Sequence, residues 1–511
     1  MNIRKLVISG LLVVSFFSHT ASAQNNRARI KIDIERQIGA VDKNIYSSFT
    51  EHLGRCIYGG IYEAGSPLSD EDGFRKDVLE AVKELKVPLV RWPGGNFVSG
   101  YHWEDGIGPK NQRPTRMELA WHATESNAFG TDEFMKWCRK ANVEPYFCIN
   151  LGTGSLDEAR NWVEYCNVEK GTYYSDLRIK NGNTQPYKVT YWGLGNEMDG
   201  YWQMGQKNVD DYGKYALEAA KLMKWIDKDI KLIAAGSSDY GRGWINWNRT
   251  VLDYLKDHAD YISLHQYVGY GRNNYYDFMA ATRSTENIIR ITEGLIRETM
   301  TKTRRKTPIY IAFDEYNVYK EYLNGVVEEK FNLEDALVIA TYLNVFVRNA
   351  HIVKMANQTL LVNTVAPIVI SKEGLWYQTI FYPLALFAGH CHGQSLQVFT
   401  DCETYKSGND AVPYLDVSST YNEEKKEIVI NVVNRHKEQA IATDILCQTG
   451  AFSGKAQLYE VNGKDIKDEN SAKEQLVKVQ NKDLSVKGDK FAYSFPAHSF
   501  TQLRVPVTTP R

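Results

Sequence analysis

From residue 45 onward the chain repeats one unit, a short apolar run that ends in polar residues and is followed by a stretch with apolar positions at helical spacing. The runs are "IYSSFTEHL", "VPLVRWPGGN", "VEPYFCINLG", "VTYWGLGNE", "IKLIAAGSS", "YISLHQYVG", "IYIAFDEYN" and "LVNTVAPIV", all rich in β-branched and aromatic residues and read as strands. Helices are predicted between them over 74–86, 131–141, 157–166, 209–227, 251–258 and 333–350. Strand and helix in alternation favour a parallel sheet with helices outside, and eight repeats favour closure of that sheet. The predicted fold class is therefore α/β, a (β/α)8 TIM barrel over residues 45–385. No strand is followed by a glycine-rich phosphate loop, which removes the reason to expect a nucleotide fold. The basic run "TKTRRK" before the seventh strand reads as a solvated helix end, with cations suited to the helix dipole.

Beyond the barrel the pattern changes. In residues 386–511 the segments "YLDVSSTYN", "EIVINVVNR", "KAQLYEVNG" and "FAYSFPAHSFTQLRV" alternate with period two between turn residues, which predicts an antiparallel, jelly-roll-like β-sandwich. Residues 24–44 contain "RARIKIDIE", a half-exposed strand expected to cross over and join that sandwich. Residues 1–23 have Arg4 and Lys5, a short apolar stretch and Ala21-Ser22-Ala23 before Gln24, the pattern of a secretory signal peptide. This predicts an exported protein, periplasmic or extracellular. No later segment has the roughly 18 uninterrupted apolar residues of a membrane span.

Composition narrows the partner. With 61 basic and 62 acidic residues the formal charge is -1, so no global field draws in nucleic acid or an anionic membrane. An uncharged partner fits better, and the 12% aromatic content suits the apolar faces of sugars as well as ordinary cores. The seven cysteines are odd in number and form no C-x-x-C pair, so buried thiols are expected rather than a disulfide framework. "GHCHG" around Cys391 offers His390 and His392 to a metal, but zinc needs three or four converging ligands and no companion cluster is present. No metal or cofactor is expected.

In a barrel of this kind functional residues sit where strands end. The endings here are Glu51-His52, Gly94-Gly95-Asn96, Asn150, Asn196-Glu197, Ser237-Ser238, His265-Gln266-Tyr267 and Asp314-Glu315. Any one of them taken alone is read as a helix cap or turn residue. Together they place two carboxylates, Glu197 and Glu315, at the ends of the fourth and seventh strands, facing each other across the mouth. Facing carboxylates are what glycosidic bond cleavage uses, one to protonate the leaving oxygen and the other to attack or to activate water.

The segments "EHLGRCIYGGIY", "VRWPGGNFVSGYHWEDGIGP", "ESNAFGTDEFM", "INLGTG", "WVEYCN", "WGLGNEMDG", "SLHQYVG", "DEYNV", "MANQTLLVNTVAPI" and "WYQTIFYP" follow one another in the order found in glycoside hydrolase family 51, the α-L-arabinofuranosidases, and the chain resembles that family over most of residues 45–385. The resemblance implies Glu197 as general acid/base and Glu315 as nucleophile of a retaining double displacement, with Glu197 starting protonated and Glu315 ionised. It implies Asn196 on the sugar hydroxyl next to the reacting carbon, and Glu51, Asn96, Tyr267 and Gln378 as further residues holding the furanose. His265 and Trp103 are expected at the rim or behind the site. Two departures, Tyr316 where the family commonly has Trp and Tyr377 where it commonly has Arg, point to altered walls and an altered leaving-group side.

The expected function is an exo-acting α-L-arabinofuranosidase that removes terminal arabinose from arabinoxylan, arabinan or their oligosaccharides. The competing readings are an endo-β-1,4-glucanase or xylanase on the same barrel, and a non-catalytic carbohydrate-binding protein. Retention predicts carboxyl groups about 5 to 5.5 Å apart. Relatives are often oligomeric, so the resemblance also implies a homo-oligomer.

Overall fold

Eight strands pair in parallel and in chain order: Ser47–Phe49 (β1), Leu89–Trp92 (β2), Glu144–Cys148 (β3), Tyr191–Leu194 (β4), Lys231–Ala234 (β5), Tyr261–Val268 (β6), Tyr310–Val318 (β7) and Val353–Gln358 (β8). β8 then pairs with β1 and closes the barrel. The structure is a computed structural model that describes residues 27–269, 274–319 and 327–508. The signal peptide expected over 1–23 lies outside the described residues. Leu89, Tyr146, Ile233, Tyr261, Ala312 and Met355 from six of the strands fill the barrel interior, a packed core rather than a pore.

The eighth strand is not the one expected. "VKMANQ", with its lysine and polar end, takes the place between β7 and β1, while 361–367 runs on as buried irregular chain and Ile368–Ser371 pairs with Gly374–Tyr377 in a separate hairpin. Asn363 and Val365 there have positive φ, and Asn317 Nδ2 donates to Val365 O at 2.7 Å. Burial accounts for the apolar character of 361–367, and apolar character alone cannot distinguish a strand from a packed loop.

Helices around the barrel begin where capping chemistry allows. Ser155 accepts from Glu158 N while Glu158 returns to Ser155 N, a capping box that starts Leu156–Asn167. The helix expected over 251–258 starts earlier, at Trp244, and ends at Leu255. Thr282–Thr303 is a 22-residue helix of which only the basic end was anticipated.

Ala28–Ala40 lies in the C-terminal sheet, antiparallel to Gln394–Asp401 and parallel to Ile441–Cys447. A separate apolar core that includes Ile30, Ile32, Ile430, Val432, Leu503 and Val505 supports this sheet. The buried helix Leu333–Arg348 links the two parts, because Asn344 and Arg348 both donate to Asp416 on the sandwich side. His390 hydrogen-bonds Gln502, whereas His392 meets the ring of Tyr46 edge-on, so the two histidines beside Cys391 face different neighbours. All seven cysteines are unpaired, and all but Cys402 are buried. Among the described residues, no helix is long and apolar enough to cross a membrane.

Candidate active site

β7 carries a bulge. Its register slips against β6 between Ala312 and Glu315 and against β8 between Phe313 and Tyr316, which breaks the in-out alternation of a strand. Asp314 and Glu315, adjacent in sequence, consequently both reach groups inside the barrel mouth. Glu315 Oε1 accepts from Arg91 Nη1 at 2.7 Å, and Oε2 accepts from Tyr267 Oη at 2.6 Å. Asp314 Oδ2 accepts from Tyr146 Oη at 2.7 Å, and Oδ1 lies 3.1 Å from His265 Nε2. Burial alone would raise the Asp314 carboxyl, but Arg91, His265 and Tyr146 hold it below its ordinary value.

Glu197 follows β4 with φ at +45°, in the left-handed region that a non-glycine residue seldom occupies. Its Oε1 lies 3.0 Å from His265 Nδ1, and Trp202 Nε1 donates to Oε2 at 2.5 Å. Burial first, and then the charge of Glu315, push the Glu197 carboxyl above its ordinary value, with His265 and Trp202 opposing. One ligand atom from each of Glu197, His265 and Glu315 lies within 4.8 Å of the others. That spacing suits a metal ion geometrically. The ring of His265 does not suit it chemically, because carboxylates face both nitrogens, and an imidazolium has no lone pair to give.

Glu51, after β1, is buried, and its Oε1 accepts from Phe97 N and Trp121 Nε1, both at 3.0 Å. Burial pushes its carboxyl up to about 8 against the Phe97 hydrogen bond, with Glu315 adding repulsion. The glycines of "PGGN" exist for this carboxylate. A Cβ on Gly94, at φ +136°, would stand 2.4 Å from Glu51 Cγ. Trp121 arrives from a hairpin, Arg116–Glu118 with Ala123–Glu125, whose turn is tied down by Glu118 accepting from Ala120 N and Trp121 N.

Above these groups opens a cavity of about 560 Å³ lined by, among others, Glu51, Asn96, Trp121, Glu197, Tyr201, Trp202, Tyr267, Glu315 and Tyr319. Asn96 Oδ1 is buried there with no protein partner. Of the predicted site residues, Glu51, Asn96, Glu197, Tyr267 and Glu315 therefore share one cavity.

Two predicted residues are placed elsewhere. Asn196 is behind Glu197, with Oδ1 accepting from Arg91 Nη2 and Nδ2 donating to Gln203 at 3.3 Å. Gln378 is a correction: its amide accepts from Phe331 N and donates to Glu329 O and Ala366 O, so it ties three backbone segments together away from the cavity. Trp103 also faces inward, stacked on Trp162 with its Nε1 donating to Glu158 O. The two departures do not reach the cavity either. Tyr316 packs on Tyr342 and Phe346, and Tyr377 stacks on Phe381 while its hydroxyl donates to Glu84. Both are therefore corrected as wall residues.

Other polar strand ends serve the framework: Asn150 accepts from Gly152 N and Thr153 N, and His52 Nε2 accepts from Trp92. Ser238 donates to Asp199 and lines the cavity. Arg91 is the residue that sequence reasoning overlooked. Its signal was available, a lone arginine inside the apolar run "VPLVRWP", because a buried guanidinium requires carboxylates to face it.

Two facing carboxylates over a cavity at the C-terminal end of a (β/α)8 barrel define the class as barrel glycosidase, and comparison with known proteins narrows it. Residues 81–267 match the model of the α-L-arabinofuranosidase 1 domain, and 314–499 match the α-L-arabinofuranosidase C-terminal domain. The chain is 44% identical to an intracellular exo-α-(1→5)-L-arabinofuranosidase 1 of Bacillus subtilis, over 81% of this chain and 86% of that one. It is 40% identical to an intracellular exo-α-(1→5)-L-arabinofuranosidase of Halalkalibacterium halodurans, over 94% of this chain and 99% of that one. The structure superposes on an α-L-arabinofuranosidase from Thermotoga maritima, solved as an arabinose complex, with a TM-score of 0.87 and 40% identity over 94% of this chain and 99% of that one. The chain belongs to the α-L-arabinofuranosidases, family 51 of the glycoside hydrolases. The relatives also correct the expectation of a signal peptide and export to the periplasm or outside, since both bacterial enzymes matched over most of their length are named as intracellular.

Proposed function

We propose that the protein is a retaining, exo-acting α-L-arabinofuranosidase that releases terminal arabinofuranose from arabinoxylan, arabinan or derived oligosaccharides. The observation that carries this reading is the pairing of Glu197 with Glu315, whose facing oxygens lie within 4.8 Å, too close to admit the water that inversion requires. Glu315, fixed through both oxygens by Arg91 and Tyr267, attacks the anomeric carbon. Glu197, with its raised carboxyl, protonates the departing oxygen and later deprotonates water. Glu51 and the unpartnered Oδ1 of Asn96 face the same cavity and bind furanose hydroxyls, since a buried acceptor without a partner is completed by a donor from the ligand. The exo assignment is supported by the names of the two bacterial relatives.

Aryl arabinofuranosides with good leaving groups test the chemistry. Glu315→Ala loses at least about 10⁴-fold in kcat. Glu197→Ala keeps its first step, and azide rescues it to give an arabinosyl azide of retained configuration. Arabinan digests contain free arabinose from the earliest times. Wild-type hydrolysis rates in Glu315→Ala, or an inverted first product, contradict the assignment, and early oligosaccharide products contradict the exo part of it.

A further inference from the structure

The double displacement moves charge between two fixed points. In the first half-reaction a Glu315 oxygen bonds to the anomeric carbon as the bond to the leaving oxygen breaks, and the Glu197 proton goes to that oxygen. In the second, water oxygen bonds to the same carbon, the ester bond to Glu315 breaks, and a water proton goes to Glu197. One negative charge thus passes from Glu315 to Glu197 and back in every turnover.

His265 stands between those two points. Its Nδ1 is 3.0 Å from Glu197 Oε1 and 3.5 Å from Glu315 Oε2. Its Nε2 is 3.1 Å from Asp314 Oδ1. A neutral imidazole has one N–H and cannot donate in both directions, whereas an imidazolium can. Asp314 is itself anchored, by Tyr146 Oη on Oδ2 and by Arg91, whose Nε is 3.8 Å away.

Building on the double-displacement reading, we propose that Asp314 is a positioning residue for the reaction: by holding His265 Nε2–H it keeps one imidazolium between the two carboxylates, neutralising the exchanged charge from the same place in both half-reactions. Burial works against a charged ring, yet Glu315, Asp314 and Glu197 together overrule it and push His265 up to about 10. A purely structural Asp314, serving only as a partner for Arg91, would leave the charge of His265 unaffected.

Nitrogen NMR of histidine-labelled enzyme reads the charge directly, with His265 assigned by the resonance that disappears in His265→Gln. In the wild type both ring nitrogens are protonated from pH 6 to 8. In Asp314→Asn the ring loses its charge within that range. The same variant loses roughly 10- to 100-fold in kcat on substrates with good and with poor leaving groups alike, with KM nearly unchanged and no azide rescue, as removal of fixed electrostatic stabilisation from both steps predicts. The proposal is overturned by a singly protonated His265 in the wild type at pH 7, by an imidazolium that persists to pH 8 in Asp314→Asn, or by a loss confined to one leaving-group class. Should Asp314→Asn fail to fold, Asp314→Ser takes its place in both measurements, with the same expected and overturning results. An inverting wild type would refute the double displacement instead, a failure visible in product configuration and independent of the spectrum.

Discussion

Among the described residues, one ionic cluster built on a buried carboxylate lies where the barrel meets the sandwich and another lies at the barrel mouth. At the joint, Arg435 and Arg348 reach Asp416 at 2.7 and 3.0 Å, and Glu286 lies 3.5 Å from Arg348. Cations match carboxylates, and although burial alone would raise Asp416, the two arginines bring it down to about 2. At the mouth, Arg91 and His265 face Glu51, Glu197, Asp314 and Glu315. Burial raises Glu51 and Glu197, Glu315 adds repulsion, and with carboxylates outnumbering cations the opposing contacts do not bring them back down. Asp416 at the joint is ionised at neutral pH, whereas Glu51 and Glu197 at the mouth are both pushed toward the protonated form. Both clusters are buried and hydrogen-bonded. Their charge balance sets them apart, and the excess of acid gives the mouth a proton to donate.

The comparison breaks most visibly at the joint. Asp416→Ala leaves the buried Arg435 without its carboxylate and the half-buried Arg348 with Glu286 alone, which costs about 3 kcal/mol, while kcat/KM of the enzyme that remains folded stays within about twofold of wild type. Denaturant melts and steady-state rates measure the two halves of this statement. The pH dependence has a definite sign. Asp416 is depressed on folding, so its contribution is present above its ordinary value of 3.8 and fades as pH falls toward 2, a loss of roughly 2 kcal/mol. A rate loss that exceeded the stability loss would mean that the joint reaches the chemistry.

At the mouth the same kind of change acts in the opposite direction. Folded Glu51 holds its proton up to about 8 whereas its unfolded value is near 4.5, so the native state binds more protons between those limits and wild-type stability falls as pH rises through them. Glu51→Gln keeps an oxygen for Phe97 N and Trp121 but cannot ionise. The variant is therefore more stable than wild type by about 1 to 3 kcal/mol at pH 9, and the gap closes near pH 4.5, while activity falls through the lost sugar contact. Paired melts at the two pH values check this, and a gap widest at low pH would contradict the imbalance.

The joint and the mouth were not equally legible in the sequence. Strand-end position and the "NE" and "DEYN" motifs marked Glu197 and Glu315 because catalytic groups in barrels occur at a predictable place. Arg91, His265 and Asp314 act through distances set by three different strands and a bulge, and no local pattern encodes a bulge. Gln378 misled because its motif is intact while its amide faces three backbone groups. The eighth strand misled because Lys354 and the polar end of β8 look less strand-like than the buried loop that follows. Periodicity reports burial, and burial is shared by strands and by loops that pack beneath a hairpin.

The smallest effect belongs to a residue outside both clusters. Tyr377 departs from the family pattern, yet its ring lies 3.9 Å from that of Phe381 and its hydroxyl donates to Glu84 Oε2 at 2.7 Å. That is one hydrogen bond to a charged but exposed partner, with no imbalance to relieve and no substrate within reach. Tyr377→Phe keeps the stack and removes the bond, so it costs about 1 kcal/mol or less and leaves kcat/KM on both aryl arabinofuranosides and arabinan within about twofold. If the polymer alone were affected, by tenfold or more, Tyr377 would be touching sugars beyond the first, and the boundary of the acid-rich mouth would extend to the Ile368–Tyr377 hairpin.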